Sequence, residues 1–447
     1  MGNHNAKGST NSLFSPDELK VLESTFRSVS GHSDKLSQEK LLASWVNIID
    51  PHLAESSANY LYCFGQQRVG TIPFKRFAEP FHIVHRGTSD EKLKLIAGSI
   101  DNASTNQIVI RELENYVISL VRSYLHIQTQ KCHKALVSWQ NSGYTSSDRS
   151  IHAFSKAQVR SVSKDPNPKV DIFELERWLQ ANPTFLIIWN EVFTHLYGTH
   201  GGKTHKLGAV TEANILPYCE GIPRDSNYTP ILEIPHIIFV NSNLPNEYRN
   251  VWRFLFSSKI HGESFSTMLG KISHKGPTFF VVEDEDHFIF GGFAPDSWAI
   301  SPNFLGDNSS MLFTITPAMR CFQSTGYNNH YQYLNLNQQT MPNGLGMGGQ
   351  LNYWGLWIDS EYGLGQSSES CTTYCDYVQL SKRKDFKIKN LEVWGIGDLP
   401  KTTDGSDEEG DVKRSVLDKN MEDRVMLELA GKQIHSDGLR EPNVDLM

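Results

Sequence analysis

Apolar residues recur at helical spacing through the first half of the chain and at strand spacing through most of the second. Ser15-Pro16-Asp17-Glu18 has the makings of a helix start. It offers a serine cap, proline at the first helical position and carboxylates in the first turn, at the positive end of the helix dipole. Leu19, Leu22 and Phe26 follow on one face. The same period predicts helices over 37–49, 54–64, 89–100 and 111–125. A Ser-, Asp- and Gly-rich break at 141–150 precedes a second helical stretch over 151–220, interrupted at Asp165-Pro-Asn-Pro168 and by the glycines of 198–202.

Near residue 225 the texture changes. Short β-prone runs at 237–240, 252–257, 278–282, 288–293, 311–316, 353–359 and 391–397 alternate with Gly, Pro and Asn. Turn signals at this density predict an antiparallel sandwich. Asp404-Gly-Ser-Asp-Glu-Glu-Gly-Asp411 has nothing to bury and reads as a linker. Ser415, with Asp418 three residues on, opens a last helix whose Leu417, Met421, Val425 and Leu429 form an i+4 ridge suited to a groove on a partner, or to packing back on its own domain. The expected fold class is α+β. The expected organisation is a tail over 1–14, helical regions over 15–140 and 151–224, a β domain over 230–398, an acidic linker over 402–414 and a helix over 415–435.

Composition narrows the function classes. A chain of 447 residues with 39% hydrophobic and 21% charged residues buries real cores in two or three domains. A net charge of -8 argues against non-specific nucleic-acid binding, which needs a basic face. No apolar run approaches the roughly 20 residues needed to span a bilayer. The polar start MGNHNAKGST lacks the apolar core of a secretory signal, so the six cysteines are expected to be reduced thiols in the cytosol.

Several motifs invite a chemical reading. A calcium loop wants oxygen ligands at positions 1, 3, 5 and 12, glycine at 6 and an apolar residue at 8. A frame starting at Gly65 finds Gly70 and Ile72 but puts Gln67, Val69 and Arg76 at ligand positions. A second frame starting at Asp101 keeps Ile108 and Glu112 but has Ala103 and Asn106 where a ligand and the glycine belong. This predicts an EF-hand-like helical pair without a working metal site, Asp101 and Glu112 being the remaining calcium candidates. Gly344-Leu-Gly-Met-Gly-Gly349 matches a dinucleotide fingerprint in letters, yet a strand-like segment follows it where a helix N-terminus is required, so a glycine-rich turn is expected. Gly198-Thr-His-Gly-Gly-Lys-Thr204 is one residue short of a phosphate loop. Cys371 and Cys375 lack a second ligand pair for zinc. His261, with Glu263 and Ser264 nearby, and His274 and His287 read as structural histidines before they read as a triad. Glu283-Asp284-Glu285-Asp286 reads as a solvated hairpin cap, with a docking patch for a basic partner as the alternative.

The stretch from Pro230 to Gly397 resembles the TLDc domain family. The resemblance rests on Trp252-Arg-Phe-Leu-Phe-Ser-Ser258, His261-Gly-Glu-Ser-Phe265, Gly276-Pro-Thr-Phe-Phe-Val-Val-Glu283, Phe290-Gly-Gly-Phe293 with Trp298, Gly306-Asp307, Phe313, Gly355-Leu-Trp-Ile358, Cys371-Thr-Thr373 and Glu392-Val-Trp-Gly395. It implies a two-sheet antiparallel β-sandwich with short helices, binding to the cytosolic sector of the V-ATPase and a tie to oxidative-stress resistance. No catalytic residue and no cofactor is implied. A helical EF-hand-like region ahead of the domain, a Met-Gly-Asn start and Ser436-Asp-Gly-Leu-Arg-Glu441 near the end resemble the branch of the family linked to mTOR or its complex at lysosomes. That branch implies N-myristoylation at Gly2 and residence on the cytosolic face of the lysosomal membrane. Ala6 departs from the Ser or Thr that the acylation pattern prefers, and one acyl chain anchors only marginally, so a second tether is expected. The function expected is a non-enzymatic adaptor. The alternatives are a stress-resistance enzyme and a weak calcium sensor.

Overall fold

The computed structural model describes residues 13–64, 67–100, 107–160, 162, 169–205, 207, 215–223 and 228–398. Gly2, Asp101, the acidic linker and the ridge Leu417, Met421, Val425 and Leu429 lie outside the described residues. The chain divides into two compact units, one of residues 1–137 and 146–215, the other of residues 138–145 and 216–447. The helical regions expected over 15–140 and 151–224 thus share one unit, apart from residues 138–140 and 216–224, which belong to the other.

The first unit is a helical bundle built from α1 (Pro16–Ser30), α2 (Gln38–Trp45), α3 (Pro51–Tyr62), α4 (Phe74–Arg86), α5 (Ser89–Ile100), α6 (Ile110–Gln130), most of α7 (Lys134–Gln140), α8 (Asp148–Val159), α9 (Ile172–Ala181) and α10 (Pro183–Gly198). Ser15 and Glu18 form the reciprocal capping box that opens α1. α10 is apolar nearly all round and buries Phe185, Trp189, Val192, Phe193 and Tyr197, which makes it a central helix of the bundle. Trp189 Nε1 donates to the Tyr116 hydroxyl of α6 at 3.0 Å, satisfying both buried polar groups. No described helix is long and apolar enough to cross a membrane.

Short bridges tie the bundle's loops in pairs. Leu36 sits opposite Ile72, and Ile108 opposite Val170, both antiparallel. The loop at 65–76 therefore pairs with the loop after α1, not with the loop at 101–112 as its spacing suggested. The latter pairs with the loop before α9. Proximity in sequence misled because each bridge joins successive helix–loop–helix units, and only one member of each pair keeps a recognisable frame.

The second unit is β-rich. Its strands are β1 (Tyr218–Glu220), β2 (Val251–Ser257), β3 (Thr278–Asp284), β4 (Ile289–Ala294), β5 (Ser301–Leu305), β6 (Met311–Thr316), β7 (Arg320–Gln323), β8 (Gln332–Asn335), β9 (Gly344–Gln350), β10 (Tyr353–Asp359), β11 (Leu364–Gln366) and β12 (Asp385–Ile396). They form one hydrogen-bonded path, β5-β8-β9-β10-β11-β12-β3-β4-β6-β7, with β2 on β12 and β1 parallel to β2. The two layers of the expected sandwich are thus joined, because the 12-residue β12 serves both. Its start pairs with β11 and its remainder with β3 and β2. Phe280, Phe290 and Leu312 from one layer meet Leu345, Met347 and Leu356 from the other in a common core. The run at 237–240, expected as a strand, lies inside helix α11 (Ile234–Asn243), which Pro235 helps to start. Its apolar residues are buried on all sides, so they carried no period to distinguish helix from strand.

The glycine motif is strand β9 rather than a turn. Leu345 and Met347 point into the core, while Gly344 and Gly346 lie on the outer face. There Trp354 and Trp357 stack 4.5 Å apart with Tyr333 and Phe304 beside them. A Cβ on Gly346 would sit 2.6 Å from the Trp354 ring, so glycine is what lets the indoles lie flat on the strand. Gly346→Ala is expected to cost about 1–3 kcal/mol by overpacking, read as a lowered urea midpoint for this unit.

Candidate functional site

The candidate site of the second unit lies on the outer face of β2, β3 and β12. Along β12, Leu391 and Val393 face the core, so the alternation of a strand turns Glu392 and Trp394 outward. Both are nevertheless buried. The cover comes from an upstream segment and from the chain before α11. Trp139 packs 5.3 Å from Trp394 and 5.8 Å from Trp252, and its Nε1 donates to Pro217 O at 2.7 Å. Tyr144 lies 4.6 Å from Trp139, and its hydroxyl meets that of Tyr228 at 2.7 Å. Phe254 closes the box against Trp394 and Tyr228.

A carboxylate sits at the centre of this aromatic box. Glu392 Oε1 accepts from Ile231 N at 3.3 Å, while Oε2 and the neighbouring Trp394 Nε1 are buried without a well-formed hydrogen bond. Burial dominates and pushes the Glu392 carboxyl up to about 7, with nearby Tyr228, Trp394 and Lys259 pulling part of the way back. Burial also pushes the Cys219 thiol up to about 12 and the Tyr144 and Tyr228 phenols well above their ordinary range. At neutral pH the thiol and phenols hold their protons, so Glu392 is the group here able to exchange one. A cavity of about 580 Å³ lies beside the cluster, lined by Ser138, Asn141, Tyr218, Cys219 and Tyr228 among others.

The residues singled out from the sequence have other occupations. His261 stacks 5.5 Å from Phe256, and its Nδ1 accepts from Ser257 N at 3.1 Å. Ser264 caps the helix Phe265–Ile272 by accepting from Thr267 N. Cys371 is buried against Gly348 and Gly355 with its thiol raised by burial, whereas Cys375 is exposed. His287 is exposed at a hairpin tip beside Glu283, and His274 occupies a left-handed turn at φ 57°.

Three of the four acidic residues of the turn are paired within their own unit. Lys389 reaches Glu283 at 2.8 Å, Lys382 and Arg383 flank Asp286, and the buried Asp284 accepts from Ser381 Oγ at 2.6 Å and Phe288 N at 2.8 Å. Burial raises the Glu283 carboxyl, but the hydrogen bonds from Lys389, Asn390 and His287 outweigh it and leave the group below its ordinary value. These matched charges favour the hairpin-cap reading over a basic partner's dock. Glu112 is exposed in the first turn of α6. Among the described residues no three His, Cys, Asp or Glu side chains gather to hold a metal ion.

Sequence reasoning missed the box itself. Glu392 entered only as a letter of the closing motif, and Trp139 and Tyr144 sat beside or within a segment taken for a break. The available signal was two large aromatics flanking Asn141-Ser-Gly143, where a solvated loop would hold none.

Known proteins match along most of the chain. A family model for the TLDc domain matches residues 226–397. The Gallus gallus protein named MTOR-associated protein MEAK7 is 38% identical over 374 residues, covering 80% of this chain and 77% of its own. The Homo sapiens protein of that name is 32% identical over 456 residues, 96% of each chain. Nuclear receptor coactivator 7 of Mus musculus is 32% identical over 177 residues, 39% of this chain and 18% of its own. The fold and its aromatic anchors define a TLDc-domain protein. Within that class the chain belongs to the family of proteins named MTOR-associated protein MEAK7.

Proposed function

We propose that this protein is a non-enzymatic adaptor in mTOR signalling at the cytosolic face of the lysosomal membrane, contacting the cytosolic sector of the V-ATPase through its TLDc domain and C-terminal helix. The observation that carries the mTOR part is end-to-end similarity to proteins named for mTOR association, reaching 96% of both chains. The chemistry of the candidate site supports an adaptor over an enzyme. Its thiol and phenols are held protonated by burial, and the histidines once open to a triad reading stack on a phenylalanine, occupy a left-handed turn or sit at a hairpin tip. Myristate on Gly2 would supply one weak tether, and the partner a second. The ridge Leu417, Met421, Val425 and Leu429 would supply the detachable contact.

The test uses purified full-length protein, a form stopped at Gly410, detached V-ATPase cytosolic sectors and the mTOR complex. Binding by the full chain that weakens on truncation is the expected result. Binding that survives truncation moves the contact to the sandwich. Absence of binding to either partner at micromolar concentration overturns the proposal, and peroxide turnover lost in Cys371→Ser would favour the enzyme reading.

A further inference from the structure

The bridge between Leu36 and Ile72 fixes a shared frame for two loops of the first unit. Each of these residues falls at position 8 of a twelve-residue calcium-loop frame, which puts Lys40 and Arg76 at position 12. A calcium hand carries its bidentate carboxylate there. Here both residues are cations, and both reach back to the helix that enters the loop. Lys40 Nζ donates to Ser30 O, at the end of α1, at 2.8 Å. Arg76 Nε donates to Leu61 O at 3.3 Å and a second guanidinium nitrogen donates to Tyr60 O, both in the last turn of α3.

The Arg76 fork is held firmly. Nη1 meets Glu79 at 2.5 Å, and the guanidinium lies 4.3 Å over the Tyr60 ring, whose hydroxyl donates to the same Glu79 at 3.3 Å. The Arg76 side chain is only 14% exposed. Last-turn carbonyls lack intrahelical donors and carry the negative end of the dipole, so a cation is the group they accept best. In the same frames, positions 1, 3 and 5 hold Val29, Gly31 and Ser33 in one loop and Gly65, Gln67 and Val69 in the other, none of them a carboxylate.

We propose that this pair of loops is a calcium-independent clamp in which Lys40 and Arg76 take the place of metal ions, tying α1 to α2 and α3 to α4. A calcium ion approaching either loop meets a fixed positive charge where its strongest ligand would be. Tyr62, whose hydroxyl donates to Leu36 O at 3.0 Å, locks the two members together. The pair therefore keeps one conformation through changes of calcium level.

Hydrogen exchange on the full-length protein tests this at the bridge amides of Lys35–Ser37, Thr71 and Ile72 and at the ends of α1 and α3. Protection in the wild type should be the same in millimolar calcium and in chelator. Lys40→Met and Arg76→Met, made singly so that each still folds, should each lower protection at their own helix end by roughly tenfold, with no recovery in calcium. Arg76→Lys, which keeps the cation, should retain more protection than Arg76→Met. Calcium-dependent protection in the wild type, or undiminished protection in both methionine variants, would overturn the proposal.

Discussion

Trp139→Ala is expected to destabilise the β-rich unit by about 3–5 kcal/mol, a large share of the roughly 5–15 kcal/mol that holds a typical domain together. Trp139 is fully buried, donates to Pro217 O and touches Tyr144, Trp252 and Trp394. Removing it leaves a cavity between Tyr144, Trp252 and Trp394 and strips the hydrogen-bond partner from a buried carbonyl. Trp139→Phe keeps much of the ring but not the donor, so it should cost less. The same logic bears on the fragment 226–397 that matches the TLDc family model. That fragment lacks Trp139, Tyr144 and β1, exposing the outer face of β2 and β12 with Trp252, Phe254 and Trp394. It should show no cooperative denaturant transition, whereas the full chain should. A fragment that unfolds cooperatively at the full-length midpoint would mean that the upstream segment decorates the fold without completing it.

The contrast between what the sequence announced and what it concealed has a physical basis. Local signals were legible. The serine cap of α1, the bounds of α5 and the positions of β2, β3, β6 and β10 follow from caps and from period, which depend on neighbours within a turn or a pleat. The helix over Ile234–Asn243 was misread because an all-apolar run has no period, although Glu233 and Pro235 offered start signals. The partners of the loops were illegible because Leu36–Ile72 and Ile108–Val170 are long-range pairings. The aromatic box was illegible for the same reason. Tyr144 and Tyr228 meet hydroxyl to hydroxyl across 84 residues of chain, a distance no local pattern reports. Arg76 was legible as hostile to calcium, but not as a cap for the helix before it.

Glu392→Gln should make the β-rich unit more stable at about pH 8 and nearly unchanged at about pH 5, an outcome that follows from the sign of the Glu392 shift. Folding raises this carboxyl from its ordinary 4.5 to about 7. Between those values the folded unit holds a proton that the unfolded chain has released. Stability is therefore full below about 4.5, falls as pH rises, and is lowest above about 7. The span corresponds to roughly 3 kcal/mol at most. Glutamine keeps an acceptor for Ile231 N and removes the titration, so the slope between pH 4.5 and 7 should flatten in the variant. The helical unit should run the other way. Burial lowers His85 and His195 to about 4, so that unit loses stability as pH falls from about 6.5 toward 4, where the unfolded chain gains protons first. Unfolding followed separately in the two units across this window should show opposite slopes. A Glu392→Gln variant less stable than wild type at about pH 8 would mean that the carboxylate is ionised and paired in the fold. The obvious cation for such a pair is Lys259, whose ammonium instead donates to Thr229 O at 2.9 Å and so offsets the burial of Glu392 only in part.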